Sequence, residues 1–172
     1  NIDLTTIPDL TGLNFGKKVT VSQTGTTAIV TDAAQVIILE RQNVSGTYNT
    51  TIGTQVYKWI QTHSLVIDSS IADIATQEFG AETALSADGK WLAIAASSAS
   101  NVNGSGFNNQ GYVSLYYKAA GNRYTFVDYI ISQDAGADEL FGSKLAFAKL
   151  GNAYLLAVSA ANTVYFYQAT GT

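Results

Sequence analysis

Few of the 172 residues could do chemistry, and they are thinly spread. The chain has one histidine, His63, and no cysteine. Ser64 is adjacent, but a serine–histidine pair works through geometry and a third orienting group, not through adjacency in the chain. The apolar run that ends at Trp59-Ile60 places His63 in a short surface turn. A zinc site needs several His, Cys or carboxylate ligands, which one histidine cannot supply. The densest acidic cluster is Asp128, Asp134, Asp138 and Glu139. Paired carboxylates can cleave glycosidic bonds or hold a cation. The segment DAGADE (134–139) reads instead as a solvated connecting loop, with Asp138 ordering its turn by bonding its own backbone. No glycine-rich phosphate loop followed by Lys-Ser/Thr is present. The expectation is a protein that is not an enzyme, with no cofactor and no metal.

Binding is a better use of these residues. The stretch SSASNVNGSGFNNQ (97–110) is rich in Asn, Ser and Gly and carries one aromatic. Asn101, Asn103, Phe107, Asn108 and Asn109 are the candidate ligand contacts: amides for adaptable hydrogen bonding, Phe107 as an anchor. Asn43, Asn49 and Asn103 each begin an Asn-x-Ser/Thr triplet and are candidate glycosylation sites. Asn43 and Asn49 fall in a long excursion, 34–53, between the second and third strands of one repeat. Asn103 falls in the matching excursion of the next, so all three are expected on one face. The excursion also contains VIILE (36–40), which reads as an extra strand.

Composition sets the outer limits. Apolar residues make up 47% and charged residues 13%, so there is surface to bury and too little charge to keep a chain expanded. The net charge of −4 and nine scattered Lys and Arg exclude an electropositive stripe for nucleic acid. No apolar run is long enough to span a bilayer as a helix. Methionine is absent, and the chain reads as a processed product or part of something longer. Fifteen Gly, one Pro and ten Tyr, with abundant Val, Ile and Thr, favour strands.

The strands are organised by a repeat. Phe-Gly occurs at 15–16, 79–80 and 141–142, with spacings of 64 and 62. Each copy continues as a strand, a tight polar turn and an apolar strand. The turns are Gln23-Thr24-Gly25, Ala87-Asp88-Gly89 and Leu150-Gly151-Asn152, residue types that tolerate the positive φ of a hairpin. A third strand follows at 54–60, 111–117 and 162–168. A fourth follows at 64–68 and 124–131. The opening IDLTTIPDL matches the end of a fourth strand. The chain therefore divides into the end of one unit (1–14), two units (15–78 and 79–140) and a partial unit (141–172).

Residue size points to an architecture. The first two strands are rich in alanine, including Ala84, Ala93, Ala95, Ala146 and Ala157. The third and fourth carry Trp59, Tyr116, Tyr117, Phe126, Tyr129, Phe166 and Tyr167. Sheets arranged radially crowd at the axis and spread at the rim, which suits an all-β fold of four-stranded antiparallel β-propeller blades. The ring is incomplete in this chain.

The run Phe79-Gly80 through Ala84-Leu85-Ser86-Ala87-Asp88-Gly89-Lys90-Trp91-Leu92-Ala93, then Gly111-Tyr112-Val113, then Leu140-Phe141-Gly142, resembles the FG-GAP repeat of integrin α-subunit-like propellers. The likeness covers essentially the whole chain. It implies a seven-bladed propeller, extracellular and devoted to binding. The Gly-Ala-Pro half is replaced by Ala95-Ala96-Ser97 and Val158-Ser159-Ala160. Many members bind calcium between the first two strands, but a single Asp88 cannot supply the oxygen ligands calcium takes, so calcium is not carried over. The resemblance implies an extracellular adhesion module contacting protein or glycan through loops of one face, and neighbouring blades or subunits along its flanks. Two alternatives remain open: a structural subunit of a surface assembly, filament or virion, suggested by the low surface charge, and an accessory domain of a larger enzyme.

Overall fold

The structure is a computed structural model that describes residues 16–31, 35–43, 57–66, 70–72, 78–120 and 123–170. The opening segment, Phe15 and Asn49 lie outside the described residues. The described chain is all-β, in three antiparallel sheets. Sheet I contains β1 (Lys18–Val21), β2 (Thr27–Thr31), β3 (Gln35–Asn43) and β4 (Tyr57–Val66). Sheet II contains β5 (Glu82–Leu85), β6 (Trp91–Ala96), β7 (Tyr112–Lys118) and β8 (Tyr124–Ile130). Sheet III contains β9 (Leu145–Leu150), β10 (Ala153–Ser159) and β11 (Val164–Thr170). Strands are neighbours in chain order, so each sheet is a simple meander and none closes on itself.

The hairpins form where turn chemistry places them. Gly25, Gly89 and Gly151 take φ of 64°, 69° and 59°. In the first two, a serine five residues before the second strand holds the turn. Ser22 Oγ accepts from the Thr27 N–H at 3.1 Å and Ser86 Oγ from the Trp91 N–H at 2.9 Å.

Sheet I departs from the expected strand assignment. VIILE is no extra strand but the core of β3, which pairs with β2 from Thr31↔Val36 to Thr27↔Glu40. Tyr57–Val66, expected to be divided between separate third (54–60) and fourth (64–68) strands, forms the single strand β4. His63 therefore sits inside a strand, opposite Ile38, and not in a turn. The register jumps from Ile38↔His63 to Leu39↔Gln61, leaving Thr62 as a bulge. A bulge absorbs a residue without breaking pairing, so the polar Thr62-His63 pair crosses the strand without ending it.

Packing between sheets explains the Phe-Gly repeat. The N–H groups of Gly16, Gly80 and Gly142 each donate to a carbonyl at the end of a second strand: Thr31, Ala95 and Ser159. All three glycines have φ near 90°. A Cβ on Gly80 would lie 3.1 Å from Val36 and 3.2 Å from Thr31 of sheet I. A Cβ on Gly142 would lie 2.8 Å from Ala95 and 2.9 Å from Val113 of sheet II. Thr31↔Val36 and Ala95↔Val113 are the same cross-strand pair in successive sheets. The second and third Phe-Gly pairs thus press their backbone onto strands two and three of the sheet before them. Phe79 and Phe141 are fully buried there.

Strand β6 is buried along its whole length. Leu92, Ile94 and Ala96 join the core shared with Ile29, Val36 and Ile38 of sheet I. Ala93 and Ala95 join the core shared with Leu156 and Val158 of sheet III. Successive side chains of a strand point to opposite faces, so a strand buried on both faces reads as a continuous apolar run. The first strands also meet across sheets, β1 against β5 and β5 against β9. Small side chains suit that close approach.

Candidate functional site

The loop between β6 and β7, the expected contact surface, is built as a rigid frame. Asn101 and Asn103 adopt left-handed φ of 54° and 55°, and Asn109 48°. These are conformations that asparagine tolerates better than other side chains with a Cβ. The Asn101 N–H donates to the Phe107 carbonyl at 2.8 Å, closing the loop on itself, and Asn101 Oδ1 accepts from the Gly106 N–H. Val102 and Gln110 are buried beneath it, and Ser105 Oγ donates to Gln110 Oε1 at 2.6 Å. Phe107 stands on this frame, 40% exposed. Asn103 is exposed, and its Oδ1 accepts from the Tyr129 hydroxyl at 2.8 Å.

The acidic segment completes the same face. Asp138 and Leu140 donate backbone N–H groups to the carbonyls of Asn108 and Asn109, and Phe141 to that of Gln110. Asn109 Nδ2 donates to Asp138 Oδ1 at 2.9 Å. Asp138 thus ties two loops together. Asp134 accepts from the Tyr165 hydroxyl and Glu139 from the Ser132 hydroxyl. Gly111 seals the junction, because a Cβ there would fall 2.4 Å from the Phe141 carbonyl oxygen. Among the described residues, no group of three or more His, Cys, Asp or Glu is arranged to hold a metal ion.

Asn43 and Asn103, two of the glycosylation candidates, do not share a face as their spacing suggested; Asn49 lies outside the described residues. Asn43 ends β3 and so lies between the third and fourth strands of its sheet, while Asn103 lies between the second and third. In a meander those connections leave from opposite ends of the sheet. The cause is the reassignment of VIILE, which moves the excursion carrying Asn43 one connection along the chain.

The hairpin end carries a second concave surface that sequence reading missed. A cleft of about 290 Å³ is lined by Asp88, Lys90, Trp91, Tyr117, Lys149, Asn152 and Tyr154. It brings together the β5–β6 hairpin, the end of β7 and the β9–β10 hairpin. The rings of Trp91 and Tyr117 are 4.9 Å apart. Trp91 Nε1 is buried with no hydrogen-bond partner, an uncommon state for a polar atom. Asp88 is pushed up by burial but is held below its ordinary value by bonds from Ser86, the Lys90 N–H and the Tyr154 hydroxyl. Aromatic faces beside amide and ammonium groups can stack on and bond to a sugar ring. Pairing Lys149 and Tyr154 with Trp91 required the sheets to be stacked, so no local motif announces this cleft.

Two ionic clusters fix the sheets to one another. Glu82 of sheet II is buried and takes Lys144 at 3.0 Å and Lys18 on its other oxygen. Lys18, Glu82 and Lys144 each stand two residues beyond a Phe-Gly glycine, so one repeat position alternates in sign across three sheets. Burial pushes the Glu82 carboxyl up, but the two lysines outweigh it and hold it below its ordinary value. Between sheets I and II, Lys118 Nζ lies 2.8 Å from buried Glu40, and Thr27 Oγ1 bonds both carboxylate oxygens at 3.1 Å. Tyr124 sits below Lys118 and donates its hydroxyl to the Gly89 carbonyl. Its N–H donates to His63 Nε2 at 3.2 Å, which requires a neutral imidazole. Burial first, then the charge of Arg123, lowers the His63 pKa accordingly. His63 thus links sheets I and II, and its Nδ1 lies 3.1 Å from the Thr62 hydroxyl.

No family model and no curated protein matches the chain. No helix among the described residues is long and apolar enough to cross a membrane.

Proposed function

We propose that the chain is a run of consecutive blades of a β-propeller of the FG-GAP type. In this reading it is an extracellular, non-enzymatic module that binds protein or glycan. The repeated docking of Phe-Gly on the preceding sheet, with first strands gathered side by side, supports the propeller. One observation carries the binding role: Asn101, Asn103, Phe107, Asn108 and Asn109 sit on a loop whose backbone is already cross-bonded to itself and to the segment 138–141. A surface ordered before binding loses little conformational entropy on contact, and an exposed aromatic on such a frame is the residue type that anchors interfaces.

The test is binding of the intact chain, immobilised, to a panel of glycans and extracellular proteins. Phe107→Ala is expected to weaken the best binder about 30-fold, the effect of removing a hot-spot side chain. Gln42→Ala, exposed on β3 of sheet I, is expected to leave it unchanged. Binding that ignores Phe107→Ala and Asn108→Ala removes the reading. A specific observation favours the structural-subunit alternative: apolar side chains stand open on the two outermost sheets.

A further inference from the structure

At the hairpin end, the two junctions between sheets are built on the same position and finished differently. In sheet I the pair of strands two and three nearest the hairpin is Thr27↔Glu40; in sheet II it is Trp91↔Tyr117. Both follow the same serine-held turn. Where sheet I meets sheet II, this place is plugged: Lys118 Nζ lies 2.8 Å from Glu40 and 2.9 Å from the Thr27 hydroxyl, over the Tyr124 ring. Where sheet II meets sheet III, the equivalent place is the cleft of about 290 Å³.

Strand length shapes that cleft. Counted from Glu82 and Lys144, which hold the same repeat position, β5 stays paired with β6 as far as Leu85 and β9 with β10 as far as Leu150. The third hairpin is the longer one, and its cross-strand pair Lys149↔Tyr154 forms the wall opposite Trp91 and Tyr117. The lining is rich in donors. Lys90, Lys149 and Asn152 are exposed, and among the described residues neither lysine forms an ion pair. Trp91 adds an indole N–H with no acceptor of its own. The one carboxylate, Asp88, is already engaged: its Oδ1 accepts from the Ser86 hydroxyl at 2.7 Å and the Lys90 N–H at 3.0 Å. A ligand for this cleft must therefore bring the acceptors and the negative charge, and charge-assisted bonds to ammonium groups are the strong ones. Hollows of about 450 and 300 Å³ share Asp88 with the cleft, one reaching Ala119 and Ala120, the other Gln23 and Thr24. A concave surface continued on both sides fits a chain of rings better than a single one.

We propose that this cleft binds an acidic oligosaccharide, with one sugar ring against Tyr117 and its carboxylate or sulfate held by Lys90 and Lys149. The β5–β6 and β6–β7 connections leave from opposite ends of a meander, so the site lies at the other end of the sheets from the Phe107 loop. It does not rest on the binding role given to that loop.

Amide NMR of the isotopically labelled intact chain tests this. The probes are tetragalacturonate, which carries carboxylates, a sulfated carrageenan tetrasaccharide, and neutral maltotetraose. At least one acidic probe is expected to bind with a dissociation constant on the order of 0.1 to 1 mM, moving the amides of 88–91 and 149–154 and the Trp91 indole N–H. The arm that binds identifies the acidic group. Maltotetraose is expected to bind at least about 10-fold more weakly, because it cannot use the lysines. Lys90→Ala and Lys149→Ala are each expected to weaken binding about 10-fold, the loss of one charge-assisted hydrogen bond, and Lys149→Arg to retain most of it. Both positions are exposed, so the fold is expected to survive, which the same spectra show. Several results overturn the proposal: no shifts with either acidic probe at about 5 mM, equal binding of maltotetraose, or equal binding of a single-stranded DNA of matched charge, which would mean that charge alone is read. Shifts confined to 101–109 also overturn it while leaving the role of Phe107 standing, so the two readings fail separately.

Discussion

Replacing Gly142 by alanine tests the central contact of the fold. Two costs arise. The first is conformational: φ of 93° is a region that side chains with a Cβ rarely adopt, at roughly 1 to 3 kcal/mol. The second is steric. The new methyl would sit 2.8 Å from Ala95 Cβ and 2.9 Å from Val113 Cγ2, both buried in the core between sheets II and III. Overpacking of that kind costs about 1 to 3 kcal/mol. The sum is about 2 to 6 kcal/mol, a large share of the roughly 5 to 15 kcal/mol that holds a domain together. Gly16→Ala provides the control, because it shares the φ but has no neighbour to strike. Its cost is expected to be the conformational part alone. Gly80→Ala, with contacts of 3.1 to 3.3 Å, is expected to fall between. Guanidinium unfolding followed by tryptophan fluorescence, at low micromolar protein and with the m-value checked for constancy, gives the three midpoints. Equal losses at Gly16 and Gly142 would refute the claim that the repeat exists to let one sheet's backbone approach the next.

Three further outcomes follow from the polar contacts. His63, Glu82 and Asp88 all have pKa values lowered in the fold, so their stabilising effect is present above the unfolded values and lost on acidification. Stability is expected to be flat from about pH 7 to about pH 9, to fall gently below the ordinary histidine value of 6.5, and to fall more steeply below 4.5 as Glu82 and then Asp88 protonate. Above about pH 9 it is expected to fall again, because burial raises Tyr124, Tyr154 and Tyr167 from the ordinary value of 10.0. His63→Gln is expected to flatten the step below 6.5 only, as read from unfolding midpoints against pH. Glu40→Leu alone strands Lys118 between sheets and is expected to cost about 3 to 5 kcal/mol, whereas Glu40→Leu with Lys118→Met is expected to recover most of it; a double-mutant cycle by denaturation checks this. Trp91→Phe removes a buried indole N–H that has no partner but also shrinks a buried ring packed on Tyr117, and is expected to cost about 1 to 2 kcal/mol, the scale of a small, partly collapsed cavity. A thermal scan showing a loss as large as that of Gly142→Ala would mean the N–H has work to do in the cleft.

Much of the fold was legible because its signals are local. Gly25, Gly89 and Gly151 announce hairpins through backbone conformation that neighbouring residues cannot adopt as easily. The strands at 112–118, 124–130 and 164–170 stand where their Tyr, Val and Ile content places them. The error in sheet I came from treating polarity as punctuation. Thr62-His63 reads as a turn because both residues are polar, and VIILE reads as surplus once that turn splits β4 into two strands. The candidate loop was legible as a surface but not as a frame, since the bonds from Asp138 and Leu140 to Asn108 and Asn109 join residues about thirty positions apart. The cleft at Trp91 was not legible at all.

The amino-acid order alone determined the repeat, its three Phe-Gly marks, its hairpins and the small side chains of its inner strands. Each of these depends on what one residue or its immediate neighbours can do sterically. Tertiary structure decided which apolar segment became the third strand of sheet I, why each glycine is needed, and which faces remain open. Those outcomes depend on distances between residues far apart in the chain. A pairing such as Ala95↔Val113 acquires its meaning only when Gly142 comes to rest upon it.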